Sequence, residues 1–200
     1  ALIAALQPPL RGIFLSTTIA GLALAIFYVA FPLYLQELGN STERVGLITN
    51  LGVISEIALM PFTARLIKWL TARTLILIAI ATIPVRLLLI TVWPSTEMVL
   101  MTQWLHAPLV IGLFVCIPVF LGEAARESYR FSLQSINATL VLGFSRLVGP
   151  WLCAFLLRNS GASPVDSLRM VLLTAATLSA LSFAVLYASA TAPKVRPAAS

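Results

Sequence analysis

Six long apolar runs, separated by short polar breaks, constrain this chain more than any other feature. They cover about residues 13–36, 45–67, 74–93, 97–121, 131–157 and 168–190. At about 1.5 Å of rise per residue, each run can cross a hydrocarbon core of about 30 Å as a helix. The sequence therefore predicts an all-α integral membrane fold, with a bundle of six transmembrane helices over residues 1–192 and a cytoplasmic tail at 193–200.

Composition supports lipid rather than water as the solvent. Hydrophobic residues make up 60% of the chain and charged residues only 10%, whereas a soluble domain has about a quarter of its residues charged. A chain of 200 residues does not bury that much apolar surface in one water-soluble core.

The basic residues lie between the apolar runs, as membrane topology predicts, so the net charge of +6 does not indicate nucleic-acid binding. One side of the predicted bundle carries Arg11, Arg65, Lys68, Arg73, Arg126, Arg130, Lys194 and Arg196, and the other carries Arg44, Arg158 and Arg169. The positive-inside rule then places both ends of the segment in the cytoplasm, in a cell or inner membrane.

Neither the cysteines nor the start of the chain points to a cofactor or a signal peptide. Cys116 and Cys153 lie inside apolar runs without the spacing of metal ligands, so we expect them to pack as small residues. No cofactor is predicted. The first apolar run is too long for the hydrophobic region of a signal peptide, so we interpret Ala1 as a cut or a continuation of upstream sequence.

Four ionisable side chains remain inside the predicted helices: Glu56, Arg86, His106 and Arg146. Glu56 lies 12 residues from Arg44, which is about 18 Å along a helix and therefore near the centre of the bilayer. A charge at that depth costs about 2.5–3.5 kcal/mol even on insertion-based scales, so we expect these groups to face partners or a water-filled cavity. Polar neighbours inside the helices are Asn50, Gln103, Gln134 and Asn137.

Four ionisable side chains on four predicted helices, at similar depth, predict the lining of a polar pathway. Other interpretations remain open. Glu56 with an arginine can be an architectural clamp, and His106 can be an interior histidine with satisfied hydrogen bonds. Gln103 and His106 are three residues apart and so share a helix face. An intramembrane serine protease also has six helices, but its nucleophile requires a Gly-x-Ser-Gly loop, and residues 143–146 break that pattern. A purely structural six-helix subunit is a further alternative.

Several short motifs resemble one family of membrane proteins. They are Tyr34-Leu35-Gln36-Glu37-Leu38-Gly39, Gly52-Val53-Ile54-Ser55-Glu56-Ile57, Arg73, Val85-Arg86, Gln103-Trp104-Leu105-His106-Ala107 and, more loosely, Gln134 through Gly149. In order and spacing they resemble the C-terminal half of a major facilitator superfamily transporter, in the phenylpropionate-permease-like group related to the oligosaccharide:proton symporters.

The resemblance implies secondary transport, by alternating access, of a small molecule such as an organic acid or sugar-like solute, coupled to protons and without enzyme activity. It also implies half of a 12-helix fold, built of two inverted three-helix repeats, whose N-terminal six-helix half is upstream or separate. A weak internal similarity agrees with such repeats, since the second and fifth apolar runs each have a basic residue at the start, a charged residue near the centre and a later proline.

Site roles follow from the resemblance residue by residue. The residue at Glu56 is expected to recognise solute and to respond to protons, and Arg86 and His106 belong to the coupling network. Arg146 lies near a lysine of the symporters, and Gln103, Asn50 and Asn137 complete the expected pathway. The chain departs from the sugar symporters at Leu59 and Leu109, where they have polar or acidic residues, so a drug or metabolite exporter of the same superfamily is the alternative function.

Overall fold

The computed structural model of the chain describes residues 8–124 and 127–191, and this part is almost entirely helical, without β-strands. The helical segments are α1 (Pro8–Glu37), α2 (Thr42–Leu59), α3 (Thr63–Val92), α4 (Thr96–Ala124), α5 (Glu127–Asn159) and α6 (Pro164–Thr191). The predicted tail at 193–200 lies outside the described residues.

Five continuous helical segments are long and apolar enough to cross a membrane, where the sequence predicts six. The difference arises at Thr42–Val92, a segment of 51 residues that contains both α2 and α3. The predicted turn within it is reduced to a single non-helical residue, Thr71, with φ 66° and ψ 152°. An all-helical, multi-pass membrane architecture is confirmed, and the count of six separate helices is not.

The turns between segments carry the residues that begin and end helices. Ser41 precedes α2 and its hydroxyl accepts a hydrogen bond from the Arg44 amide, and Ser95 does the same for Met98 at the start of α4. Gly39 follows α1 with φ 85°, a left-handed conformation that glycine adopts without strain. These local signals explain why the predicted breaks near 39–42 and 93–95 fall where they do.

α1 lies at the centre of the packing, with α5 and α6 beside it, and α4 contacts both α2 and α3. Small residues allow the close approaches. Gly149 of α5 packs against the backbone at Ala25, and the Ser16 hydroxyl donates to the Ser182 carbonyl of α6 at 2.8 Å. Such small-residue and hydroxyl contacts are the usual means of helix association in lipid, where apolar burial alone provides little drive.

α5 is buried along one narrow line and is otherwise exposed. Its buried residues recur at every fourth position: Leu133, Asn137, Val141, Ser145, Gly149 and Cys153. A regular α-helix rotates such a row by about 40° per step. The π-helical turn at Thr139–Phe144 lies in the middle of the row, and its wider winding reduces that drift. The row therefore stays against α1.

Candidate functional site

A chain of polar contacts links α2, α3 and α4 through one histidine. His106 Nε2 lies 2.8 Å from Oε1 of Glu56. On the other side of the ring, Nδ1 lies 3.1 Å from an Arg86 guanidinium nitrogen. A second guanidinium nitrogen of Arg86 donates to Oε1 of Gln103 at 2.9 Å. We call Glu56, Arg86, Gln103 and His106 the polar cluster.

The donors and acceptors in the polar cluster determine the state of the histidine. A guanidinium has only N–H donors, so His106 Nδ1 must accept from Arg86. The remaining proton of a neutral imidazole is then on Nε2, where it donates to the Glu56 carboxylate. The geometry therefore holds His106 neutral, between the carboxyl group of Glu56 and the guanidinium of Arg86.

Arg86 does not bind Glu56 directly, although the sequence suggests that pair. Its side chain is only 3% exposed, and the His106 ring separates the two charges. The guanidinium carbon lies 4.9 Å from the Phe27 ring centroid and 5.5 Å from that of Phe31. The two ring faces offer the buried cation a further electrostatic partner. A role for Phe27 and Phe31 is not among the predictions from the sequence. The one sequence feature that indicates it is their i,i+4 spacing, which places both rings on one face of α1.

A local change of helix geometry presents the polar residues of α4. Gln103–Leu105 forms a 3₁₀ turn, and His106 begins the next α-helical stretch. Side chains three residues apart nearly eclipse each other in a 3₁₀ turn. Gln103 and His106 therefore both reach Arg86, in agreement with the helix face predicted from their spacing.

Two donors of the polar cluster have no partner. Nε of Arg86 and Nε2 of Gln103 are buried and make no hydrogen bond in the described structure. Buried polar groups are nearly always hydrogen-bonded, so two orphan donors in one cluster call for an explanation. Because both are donors, the group that satisfies them must be an acceptor oxygen or nitrogen.

The other predicted site residues are not in contact with the polar cluster. Asn50 and Arg146 are exposed, and neither makes a hydrogen bond within the described residues. Arg146 follows the buried Ser145 and so faces away from the α1 contact line. Asn137 is buried but belongs to another contact, where it accepts a hydrogen bond from Thr17 of α1 at 3.1 Å.

Tyr28 is an unpredicted neighbour of the polar cluster. Its ring lies edge-on to His106 with 6.4 Å between centroids, and 43% of the residue is exposed. Tyr28 therefore lies at the edge of the polar cluster, on the side of α1.

Two open clefts in the described part of the chain lie away from the polar cluster. One of about 360 Å³ is lined by residues at the end of α4 and the start of α5, and one of about 440 Å³ by residues around the α5–α6 turn. Neither is lined by a residue of the polar cluster. In residues 8–124 and 127–191, no group of three His, Cys, Asp or Glu side chains could hold a metal ion.

The model of the MFS_1 like family matches residues 2–165, more than four fifths of the chain. The chain belongs to the MFS_1 like family. This MFS_1-like protein is thus a member of the major facilitator superfamily, as the sequence motifs indicate, and membership points to a transporter rather than an enzyme. No curated protein matches the chain.

Proposed function

We propose that this MFS_1-like protein carries out proton-coupled secondary transport of a small solute, an organic acid or sugar-like molecule, by alternating access. The observation that carries the proposal is the polar cluster with its two orphan donors. A buried charge network on three helices is expensive in lipid, and such networks mark solute and proton pathways. In a family of transporters, the orphan donors are suited to an acceptor oxygen of the solute.

The same contacts suggest how proton and solute could be coupled. Glu56 is the one carboxylate of the polar cluster, and its ionised form is the better acceptor for the His106 N–H. Protonation of Glu56 weakens that bond and loosens α2 from α4. We propose that solute binding and Glu56 protonation together favour one of the two access states.

We further propose that the 51-residue segment crosses the membrane twice. A straight helix of that length would be about 76 Å long, more than twice the hydrocarbon thickness. Thr71, where the helical backbone breaks, lies among Arg65, Lys68 and Arg73, as expected of a cytoplasmic turn. Six crossings follow, with both ends cytoplasmic. The exposed faces of α2 and α5 would then meet an N-terminal six-helix half.

The test of coupling is Glu56→Gln, with Glu43→Gln as its control. Both residues lie on α2, but Glu43 is exposed in the first helical turn and has no contact with the polar cluster. The protein is expressed from its complete gene, and uptake of labelled 3-phenylpropionate and of lactose is followed with and without an imposed pH gradient. Glu56→Gln should insert normally but lose pH-driven accumulation, and Glu43→Gln should keep it. Accumulation in Glu56→Gln equal to the wild type contradicts the proposal.

The Leu59 and Leu109 side chains are the observation that favours an exporter instead. Leu109 is 1% exposed, and Leu59 packs against the apolar core. They reduce the polarity around the polar cluster. Uptake into inside-out vesicles distinguishes the two functions. When the vesicle interior is made acidic, an exporter accumulates the labelled probe inside the vesicles and an importer does not.

A further inference from the structure

We infer that Gly52 is a positioning residue of the polar cluster, because its missing side chain lets α2 approach α4 closely enough for Glu56 to reach His106. α2 turns a buried stripe toward its neighbours, formed by Val45, Ile48, Gly52 and Ser55. Glu56 is the next residue after that stripe. The distance between the two helices at Gly52 therefore determines how far the carboxylate must reach.

The available space at Gly52 is smaller than a methyl group. A Cβ atom built there would lie 2.9 Å from Oε1 of Gln103 and 2.9 Å from Cδ2 of His106. Non-bonded heavy atoms normally approach to about 3.5–4.0 Å. Any side chain at position 52 must therefore displace one of these two groups or push the helices apart.

Neither neighbour can move without breaking the polar cluster. The His106 ring is held at both nitrogens, by Glu56 and by Arg86. Oε1 of Gln103 accepts from Arg86. Gln103 is otherwise flexible, but a rotation away from Gly52 leaves another buried donor of Arg86 without an acceptor, which costs about 1–3 kcal/mol or more.

Ser55 supports the same approach one turn further along α2. Its hydroxyl lies 2.6 Å from the Gly52 carbonyl and 3.2 Å from the Gln103 carbonyl. The hydroxyl thus ties the backbone of α2 to the 3₁₀ turn of α4. Gly52 removes the obstacle between the two helices, and Ser55 fixes the contact.

The inference rests on the proposed function only where it concerns transport. Its test therefore measures the reactivity of His106 and not solute uptake. The chain contains one histidine, so carbethoxylation by diethylpyrocarbonate reports on His106 once any histidine encoded elsewhere in the complete gene is replaced by glutamine. The protein expressed from that gene is purified in lipid nanodiscs, and the modification rate is measured for the wild type, Gly52→Ala and Gly46→Ala. Gly46 lies on the same helix, and a Cβ built there meets nothing within 4 Å.

In Gly52→Ala we expect modification of His106 to be faster by about tenfold, because a ring displaced by the new methyl group loses its bond from Arg86 and exposes Nδ1, the unprotonated nitrogen that attacks the reagent. Gly46→Ala should react at the wild-type rate. Equal rates in all three proteins overturn the inference. If Glu56→Gln keeps coupled uptake, the proposed function fails while the reactivity result still stands, so the two failures are distinguishable.

If Gly52→Ala does not fold, a further variant tests whether the clash with the polar cluster is the cause. Gly52→Ala is introduced together with Gln103→Ala and His106→Ala, which remove the two groups that the new methyl would meet. Recovery of a monodisperse protein in that background supports the inference. The Gln103→Ala, His106→Ala double variant is the matched control, because it removes the same two partners of Arg86 without changing Gly52. Aggregation of the triple variant beside a monodisperse double variant overturns the inference.

Discussion

His106 Nε2 donates a hydrogen bond to Glu56 Oε1 across 2.8 Å and so joins α4 to α2. α2 is the more exposed of the two helices, and besides its buried stripe it is tied to α4 by the Ser55 hydroxyl. The bond from His106 therefore adds a second polar contact between the two helices. Because this bond requires a proton on Nε2, it fixes the tautomer of His106, and the tautomer can be measured.

The first prediction concerns that tautomer. In the wild type, ¹⁵N spectra of the imidazole should show protonated Nε2 and unprotonated Nδ1, because Arg86 occupies Nδ1. Arg86→Met removes the donor while the Glu56 carboxylate still accepts at Nε2, so Nδ1 becomes free to bind a second proton and an imidazolium signal should appear. Arg146→Met is the control, since Arg146 is exposed and does not contact His106. A wild-type spectrum with protonated Nδ1 contradicts the assignment.

The second prediction concerns the aromatic contacts of Arg86. A double-mutant cycle with Phe27→Leu and Arg86→Met should give a coupling energy of about 1–2 kcal/mol in the free energy of unfolding. The measurement is unfolding of the purified protein in mixed micelles. The same cycle with Phe14→Leu should give a coupling near zero, because Phe14 is buried in α1 but does not lie over the guanidinium. Similar coupling for both rings would show that Arg86 has no specific cation–π partner.

The third prediction concerns the end of α3. The Tyr34 hydroxyl is fully buried and donates to the Ile90 carbonyl at 2.8 Å, in the last turn of that helix. Tyr34→Phe should lower the free energy of unfolding by about 1–3 kcal/mol, since it leaves a buried carbonyl unsatisfied. Tyr129→Phe removes the same atom from a ring that is 42% exposed and should change little. Equal effects of the two substitutions argue against a buried hydrogen bond.

The fourth prediction concerns Thr71. With φ 66° and ψ 152° this residue occupies a conformation that costs a non-glycine residue about 1–3 kcal/mol. Thr71→Gly should therefore raise the free energy of unfolding. Thr177→Gly, on an exposed helical position of α6, should lower it by about 0.3 kcal/mol. Destabilisation by both substitutions contradicts the prediction and would mean that the hydrogen bonds of the Thr71 hydroxyl to Thr74 outweigh the backbone strain.

The fifth prediction tests the proposed double crossing. Single cysteines replace Trp69 and Trp93, which are 74% and 55% exposed, in a background where Cys116 and Cys153 are alanine. A membrane-impermeant maleimide should label position 93 from outside intact cells and position 69 only in inverted vesicles. Labelling of both from one side would mean that the segment does not cross twice.

The helical segments follow from the apolar runs because helix formation in lipid depends on composition over about 20 residues, which a sequence displays directly. Thr71 shows the limit of that method. Thr71-Ala72-Arg73 predicts a turn, and in the structure only Thr71 leaves the helical conformation. The number of separate helices then depends on a single dihedral angle.

The polar cluster is only partly predictable for a related reason. The depth of a residue in the membrane can be counted along a helix, so the sequence predicts similar depths for Glu56, Arg86 and His106. Rotation about the helix axis depends on winding, and the 3₁₀ turn at Gln103–Leu105 and the π-turn at Thr139–Phe144 both change it. Arg146 lies one position away from the buried line of α5, and a sequence read with a constant period cannot place it.

The fixed tautomer of His106 also limits where a proton can travel. Relay through an imidazole requires one nitrogen to receive a proton while the other releases it, and here Arg86 closes the Nδ1 side with a group that only donates. In this conformation the ring is a dead end for proton conduction. A proton that reaches Glu56 must leave by the side from which it came, unless the guanidinium first withdraws.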